Sequence, residues 1–588
     1  MINVLYGDGR IEEKEYNDAI KVARHTASHV LAQAVKKVYP EARLAIGPAT
    51  DDGFYYDFDN LPITENDLRK LENIMRNIIS EKQEMKVYEV SRAEACEMMK
   101  DEPYKLELIH DLPEDATITM YENGPFVDMC AGPHLTNTGD VGAIKLMSTT
   151  GAYWRGSEKN KMLTRIYGIC YKTEKEIEDY LTALEEAKAR DHRKLGKELN
   201  IFMMNDLVGK GLPMYLPNGY TVWEILENYI KRKERKLDYK HVLTPPLATV
   251  DLYKTSGHWE HYKDNMFPKM EVEGEEFVLR PMNCPHHMMI YANKMHSYRD
   301  LPIRIGEVAR DCRFESSGTL KGIERVRTFC QNDAHLFVTP EQIESEFKSV
   351  VDLILEVYKE LNITNYRFEL SLRDPEDKVK YHPDDEMWNS AENTLRQVLN
   401  DIGIEYEEKI GEAAFYGPKL DVQVKPAVGA EYTLSTCQLD FCLPMKFNLS
   451  YIDKDGTKKT PVVLHRAILG SIDRFIAYYL EETKGALPTW LSPVQIKLLT
   501  INDNMIDYAK TVKEKLEDND IRVELDDSNE KLGYKIRNAK MEKVPYFAVI
   551  GAKEIETNTL SIKNRKDEEI KVTPDELVQK ILEECKIK

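Results

Sequence analysis

Arginines and a carboxylate gather between Arg304 and Phe337 in a pattern that suits a nucleoside triphosphate. An apolar-alternating run through Ile303 and Ile305 leads to Arg313-Phe314-Glu315. A turn-rich Ser316-Ser317-Gly318 follows, and a second run from Val326 to Phe337 has Arg325 and Arg327 at its start. The pattern predicts two strands joined by a long loop. Guanidinium forks neutralise phosphate oxygens, and a carboxylate between them can accept from an exocyclic amine. A charged hairpin on a solvated edge would use the same residue types. Elsewhere, His25 and His29 lie four apart within Glu15 to Pro40, where apolar residues recur at threes and fours. Both imidazoles therefore face one side of a helix, which is metal-ligand spacing. The peptidase form of this motif carries Glu directly after the first His, and here Thr26 stands there, which argues against a zinc peptidase. A half-buried structural pair is the competing reading. A second cluster, Asp128 to His134, sets Cys130 and His134 four apart beside a Gly132-Pro133 turn and offers the first pair a partner. Cys284 precedes a proline, so it is expected at a strand end or turn, either facing a cavity or as a buried structural thiol.

These groups need several domains to hold them. At 588 residues, the chain has the length of about four. Apolar content of 42% and charged content of 31% describe a globular protein with material for several cores. No apolar run is long enough to span a membrane, and the acidic N-terminus has the features of neither a signal nor a transit peptide. Nine scattered cysteines fit cytosolic thiol usage, with one or two as ligands. A net charge of −20 argues against indiscriminate nucleic-acid binding, while leaving room for local basic contacts to RNA.

Glu174 to Leu199 reads as one long helix with Lys188, Arg190, Arg193, Lys194 and Lys197 crowding its later half. It is expected to be a solvated connector, with RNA phosphate contacts as the alternative. A helix over Thr221 to Leu237 should precede a short strand ending at Pro245. Thr339 to Asn400 reads as scaffold, with helical periodicity over Ile343 to Tyr358 leading into an acidic, proline-containing region. Residues 413–424 and 431–441 are expected as central antiparallel strands. Gly470-Ser471 fits a helix start with Arg474 in the first turn. Two prolines between Leu487 and Pro493 mark a boundary, beyond which strands and helices alternate as a small α/β unit with a mostly parallel sheet.

The wording RxE…GxxRVRxFxQxDAH over Arg313 to His335 resembles motif 2 of class II aminoacyl-tRNA synthetases, and in detail the threonyl-tRNA synthetase family. The helix and strand up to Pro245 resemble motif 1 at a dimer interface, with Pro246 an additional proline. His465 to Glu482 resembles motif 3. His25, His29 and the CxGPH run resemble the editing domain that this family shares with alanyl enzymes, and Gly151 to Gly168 continues it. Family members commonly begin with a small ubiquitin-like domain, whereas this chain starts almost directly at the editing region. The resemblance therefore implies a bacterial-type member lacking it. Expected domains are 1–172 for editing (α+β), 173–199 as a linker helix, 200–487 as the class II antiparallel-sheet catalytic domain, and 488–588 as an α/β anticodon-binding domain.

That resemblance implies the roles. Arg313 holds the α-phosphate, Glu315 reads the adenine amine and Phe329 stacks on the ring, while Arg325 and Arg474 meet the γ-phosphate. Gln331, Asp333, Tyr416, Lys419 and Gln438 position threonine. Cys284, His335 and His465 bind one zinc per chain, and magnesium accompanies ATP. His25, His29, Tyr56, Lys105, Asp128, Cys130 and His134 form a metal-free pocket that hydrolyses a mischarged seryl ester. Asn529, Glu554 and Lys563 read the anticodon. There are two departures. Tyr432-Thr433 replaces a common Trp-Gln pair beside the nucleotide, and Lys563 replaces an arginine, so it cannot make a bidentate fork to guanine. The implied partners are threonine tRNA, ATP, L-threonine and a second copy of the chain through motif 1, in the cytoplasm, with no membrane. A paralogue that kept the fold without the chemistry would have lost motif arginines, and Arg313, Arg325 and Arg474 are all present. A metallohydrolase built on HxxxH would act without ATP.

Overall fold

The computed structural model describes residues 1–426 and 429–586. Two compact units meet between Glu186 and Ala187, inside the helix Glu174–Arg190. No helix among the described residues is long and apolar enough to cross a membrane.

In the first unit, the helices Ile20–Val38 and Glu65–Ser80 pack their apolar stripes with a four-stranded antiparallel sheet. Its order is Arg43–Leu44, Phe54–Asp59, Met162–Tyr171, Ala143–Tyr153. Val30, Leu31 and Ala34 of the first helix are fully buried, as the spacing by threes and fours requires. A hairpin at the start of the chain, Ile2–Leu5 with Ile11–Lys14, pairs onto the short strand His134–Leu135 with Leu5 opposite His134. A further small sheet, Met85–Val90, Ile118–Asn123 and Phe126–Met129, carries Asp128.

The second unit is built on an eight-stranded sheet. The order is Lys240–His241, Ile303–Cys312, Thr328–Val338, Val462–Ser471, Tyr432–Asp440, Lys419–Val424, Tyr366–Leu372, Tyr406–Ile410, antiparallel except at its two outermost pairings. The helix Ile343–Glu360 packs with the sheet, burying Phe347, Val350, Ile354 and Val357 in the largest core. Beside that core, Glu234 of the helix Pro217–Lys236 pairs with Arg466 at 2.8 Å. It also accepts from Asn332 at 2.8 Å and lies 2.6 Å from His241 Nε2. Toward the C-terminus, a five-stranded sheet runs Val523–Asp526, Ile496–Thr500, Tyr546–Ile550, Leu560–Asn564, Glu569–Val572.

Four local expectations change. The strand expected to end at Pro245 is Lys240–His241 and stops four residues earlier, because Pro245 and Pro246 have no N–H to extend a ladder. The helix expected through Leu199 is two, Glu174–Arg190 and His192–Glu198. Asp191 leaves helical geometry (φ −50°, ψ 118°) to accept from the Arg193 amide as a new N-cap. Cys284 opens the helix Cys284–Ala292 instead of ending a strand, with Pro285 tolerated in the first turn, where its missing N–H is not needed. The C-terminal sheet is mixed, since only its first two pairings are parallel. It closes with an antiparallel hairpin that needs no crossover helix.

Replacing Glu234 by Ala leaves the buried Arg466 guanidinium without its counter-charge. The expected loss is about 3–5 kcal/mol, read as a lower denaturant midpoint for the second unit. An unchanged midpoint would remove this pair from the account.

Candidate active and editing sites

Strand register places the catalytic candidates. His335 lies opposite His465, His465 opposite Gln438, and Gln438 opposite Lys419, so one row crosses four strands. Because directly opposed residues share a face, these side chains point into one space. All side chains assigned above to ATP, threonine and metal line a single cavity of about 420 Å³.

At one end, the ligand-type atoms of Cys284, His335 and His465 lie within 4.8 Å of one another, all buried. The neighbours set the imidazole tautomers. Burial pushes the Glu307 carboxyl up, but His287, the Thr244 amide and Arg280 pull it further down, to about 2. Ionised Glu307 only accepts, so His287 Nε2 donates to it at 3.1 Å. Burial lowers the pKa of His287 and keeps the ring neutral, so its Nδ1 accepts from His335 Nδ1 at 2.8 Å. His335 then presents a lone pair at Nε2, a fully buried atom with no hydrogen-bond partner among the described residues. Likewise His465 Nε2 meets Asp440 at 2.8 Å, which leaves Nδ1. A thiol and two oriented imidazoles with one orphaned buried nitrogen fit a three-ligand zinc with a position open. Sequence reasoning missed His287, Glu307 and Asp440. The adjacent histidines after Cys284-Pro285 were the available signal.

Toward the other end, Arg313 sits over the Phe329 ring at 4.9 Å and Arg325 pairs with Glu315 at 2.9 Å. Arg474 donates from Nε to the Glu324 carbonyl at 3.1 Å and lies over Tyr432 at 5.7 Å. Ser471 caps the helix Ile472–Glu482, accepting from the Arg474 amide at 3.2 Å and so fixing that arginine in the first turn. Thr433 accepts from Gln423 at 3.0 Å and also lines the cavity. Tyr416 donates to Gln438 at 2.6 Å, and Lys419 pairs with Asp421. Burial, then the nearby Asp311, raises the Asp333 carboxyl well above its ordinary range, so a cation arriving beside it would be stabilised by restoring its charge.

The editing candidates also converge. His25 and His29 share the helix Ile20–Val38, and with Cys130 and His134 their ligand-type atoms lie within 4.8 Å of one another. His25 Nδ1 donates to the Pro133 carbonyl at 3.2 Å, which leaves Nε2 to accept from the Cys130 thiol at 3.2 Å. Burial pushes that thiol up to about 11, so it is a proton donor and not a thiolate nucleophile at neutral pH. Thr26 spends its hydroxyl proton on the Val22 carbonyl, so His134 Nδ1 donates to Thr26 at 3.2 Å and Nε2 keeps a lone pair. Tyr56 donates to Asp128 at 2.6 Å, and Lys105 Nζ reaches the same carboxylate at 2.7 Å. Lys105 thus lies in the cluster, on the helix Pro103–Asp111.

The anticodon candidates converge less. Glu554 sits in the first turn of the helix Ala552–Thr557 and accepts from Ser561 at 3.3 Å, two residues before Lys563 on one strand. Lys563 pairs with Glu569 at 3.2 Å. Asn529 is exposed beside Ile501 to Asn504, and no hydrogen bond or ion pair among the described residues joins it to the other two.

Three domain families match parts of the chain. The class II core domain of tRNA synthetases (G, H, P, S and T) matches residues 267–483, an anticodon-binding domain matches 493–584, and the second additional domain of threonyl- and alanyl-tRNA synthetases matches 118–167. The second unit therefore carries a class II synthetase core. A threonine–tRNA ligase of Staphylococcus carnosus is 52% identical over 99% of this chain and 91% of its own length, and one from Staphylococcus saprophyticus is 51% identical over the same shares. The chain belongs to the threonine–tRNA ligase family. Among solved structures, the RNA-binding domain of threonyl-tRNA synthetase from Cryptosporidium parvum is 38% identical with a TM-score of 0.64, over 67% of this chain and 98% of its own. A threonyl-tRNA synthetase described as putative, from Aeropyrum pernix, is 28% identical with a TM-score of 0.59, over 67% and 96%.

Burial lowers the pKa values of His25, His29 and His134 in the fold. The unfolded chain takes up these protons near pH 6.5 while the folded chain does not, so stability falls as pH drops through that value. The expected slope is up to about 1.4 kcal/mol per pH unit for each imidazole. Denaturation of the first unit between pH 7.5 and 5.5 reads it, and a flat profile would show that these rings take up protons in the fold as readily as in the unfolded chain.

Proposed function

We propose that the chain activates L-threonine with ATP, transfers it to the 3′ end of threonine tRNA, and hydrolyses mischarged seryl-tRNA in its first unit. The observation that carries the reading is the convergence of Cys284, His335 and His465 on one cavity with Arg313, Arg325 and Arg474.

In this reading the threonine carboxylate attacks the α-phosphorus, pyrophosphate leaves, and threonyl-adenylate remains. Arg313 draws charge from the α-phosphate, Arg325 and Arg474 hold the γ-phosphate, Phe329 stacks on adenine and Glu315 accepts from its amine. Magnesium enters with ATP and offsets triphosphate charge. Asp333 and Gln331 take the amino group, while Tyr416, Gln438 and Lys419 frame the side chain. Cys284, His335 and His465 would hold zinc, which when bound would act as a Lewis acid toward both the amino group and the hydroxyl of threonine, a pairing valine cannot complete.

Serine keeps both groups and lacks only a methyl, worth roughly 10- to 200-fold in discrimination. A separate hydrolytic site answers that shortfall. There, His134 Nε2 orients and deprotonates a water, while Asp128, held by Tyr56 and Lys105, positions the aminoacyl group. Asn529, Glu554 and Lys563 contact the anticodon. Leu243 at 92% exposure and Leu247 at 38% flank Pro245, which supports a homodimer through this segment. Nine free cysteines, with no disulfide among the described residues, support a cytoplasmic location.

Threonine-dependent ATP–pyrophosphate exchange tests the reading: strong with threonine, weaker with serine, absent with valine. Cys284→Ser should remove most of about one bound zinc per chain, as read by metal analysis. His134→Ala should slow seryl-tRNA deacylation about 100-fold and leave exchange unchanged. Exchange that ignores threonine would overturn the proposal.

A further inference from the structure

His192 belongs to no role described so far, yet it is fully buried between three segments of the second unit. Its Nδ1 lies 2.6 Å from Glu481 Oε1, and its Nε2 lies 3.3 Å from the Ile323 amide. An amide N–H only donates, so Nε2 carries the lone pair and Nδ1 carries the proton given to Glu481. With Asp191 these groups have the spacing of a metal site. Both ring nitrogens are occupied, however, and Asp191 caps its own helix, so the ring acts as a bridge.

What the bridge holds is the tip of the motif 2 loop. Lys321 and Arg325 exchange both backbone hydrogen bonds, at 3.1 and 3.2 Å, closing a tight turn over Gly322-Ile323-Glu324. Gly322 has φ +49°, and a Cβ there would lie 2.1 Å from His192 Nε2, so the turn is packed directly onto the ring. The Ile323 side chain is fully buried. The residue after Ile323 supplies the carbonyl that receives Arg474 Nε at 3.1 Å, and the next is Arg325 itself. On the far side, Glu481 stands on the same helix as Arg474 and also accepts the His192 amide at 3.2 Å.

We propose that His192 is a positioning residue for ATP. It ties the motif 2 turn to the motif 3 helix, so that Arg325 and Arg474 reach the triphosphate together. The proposal rests on reading the cavity as an ATP site. It places the cost of losing His192 on nucleotide binding and not on threonine binding, because the threonine-side groups lie on strands and, for Tyr416, a turn that the bridge does not touch.

Two amide substitutions separate the bonds. The Asn amide of His192→Asn reaches the Nδ1 position and keeps the Glu481 contact alone. The longer Gln of His192→Gln reaches the Nε2 position and can still accept from Ile323, while the main-chain amide of residue 192 still donates to Glu481, so both ends of the tie survive. Calorimetric ATP binding and the KM values of pyrophosphate exchange are read on both variants and on the unaltered chain. The expected result is that His192→Asn weakens ATP binding and raises the ATP KM by about tenfold, His192→Gln stays within about threefold, and the threonine KM moves less than about twofold in both. Equal effects from Asn and Gln, unmoved ATP binding in His192→Asn, or a threonine KM that rises in step would overturn the proposal. An unaltered chain that binds ATP without exchange would count against the ligase reading, while the calorimetric comparison still decides the role of His192.

Discussion

The pairing of His335 with His465 is the contact on which the chemistry proposed for the second unit depends. Side chains alternate faces along a strand, so a slip of one residue would send both imidazoles to the opposite side of the sheet. The same row carries Gln438 and Lys419, and the neighbouring one carries Asp333, Ala467 and Thr436. Long antiparallel strands with an apolar opposite face resist such slippage, since Leu336, Leu464 and Leu439 would have to leave the core. Placing a site across register rows lets residues distant in sequence share one floor.

His335 and His465 are buried on that floor, so each of their polar atoms depends on a neighbour. Glu307 and Asp440 hold two histidines in the tautomers a metal needs, and Glu234 neutralises Arg466 beneath the site. An unpartnered buried charge costs several kcal/mol, so these networks are conditions of folding as well as of function. The editing cluster follows the same logic with different partners: main-chain carbonyls and Thr26 orient its imidazoles, and burial keeps Cys130 a thiol. One methyl separates threonine from serine, and no single pocket turns that difference into translational accuracy. Two sites of opposite chemistry in one chain are the physical consequence.

Much of this was legible in the sequence because it resides in residue types at short spacing. The two arms around Arg313, the paired histidines on one helix face and the Ser471 cap before Arg474 all depend on neighbours within a few positions. What escaped notice depends on long separations. Nothing near His192 announces Glu481 or Ile323, and nothing in the first fifteen residues announces that Leu5 pairs with His134. The helix expected through Leu199 broke because Asp191, unremarkable inside a charged run, found the Arg193 amide. Cys284 was misplaced because a proline following it reads equally as a turn or as the first turn of a helix.

X-ray absorption at the zinc edge would test the central claim most directly. In the chain without amino acid, one sulfur at about 2.3 Å and two nitrogens at about 2.0–2.1 Å are expected from the protein. Adding threonine should bring further light-atom ligands, whereas valine should not reproduce that change. A site closed by four protein ligands, or a spectrum unchanged by threonine, would contradict a zinc held open for the substrate by Cys284, His335 and His465.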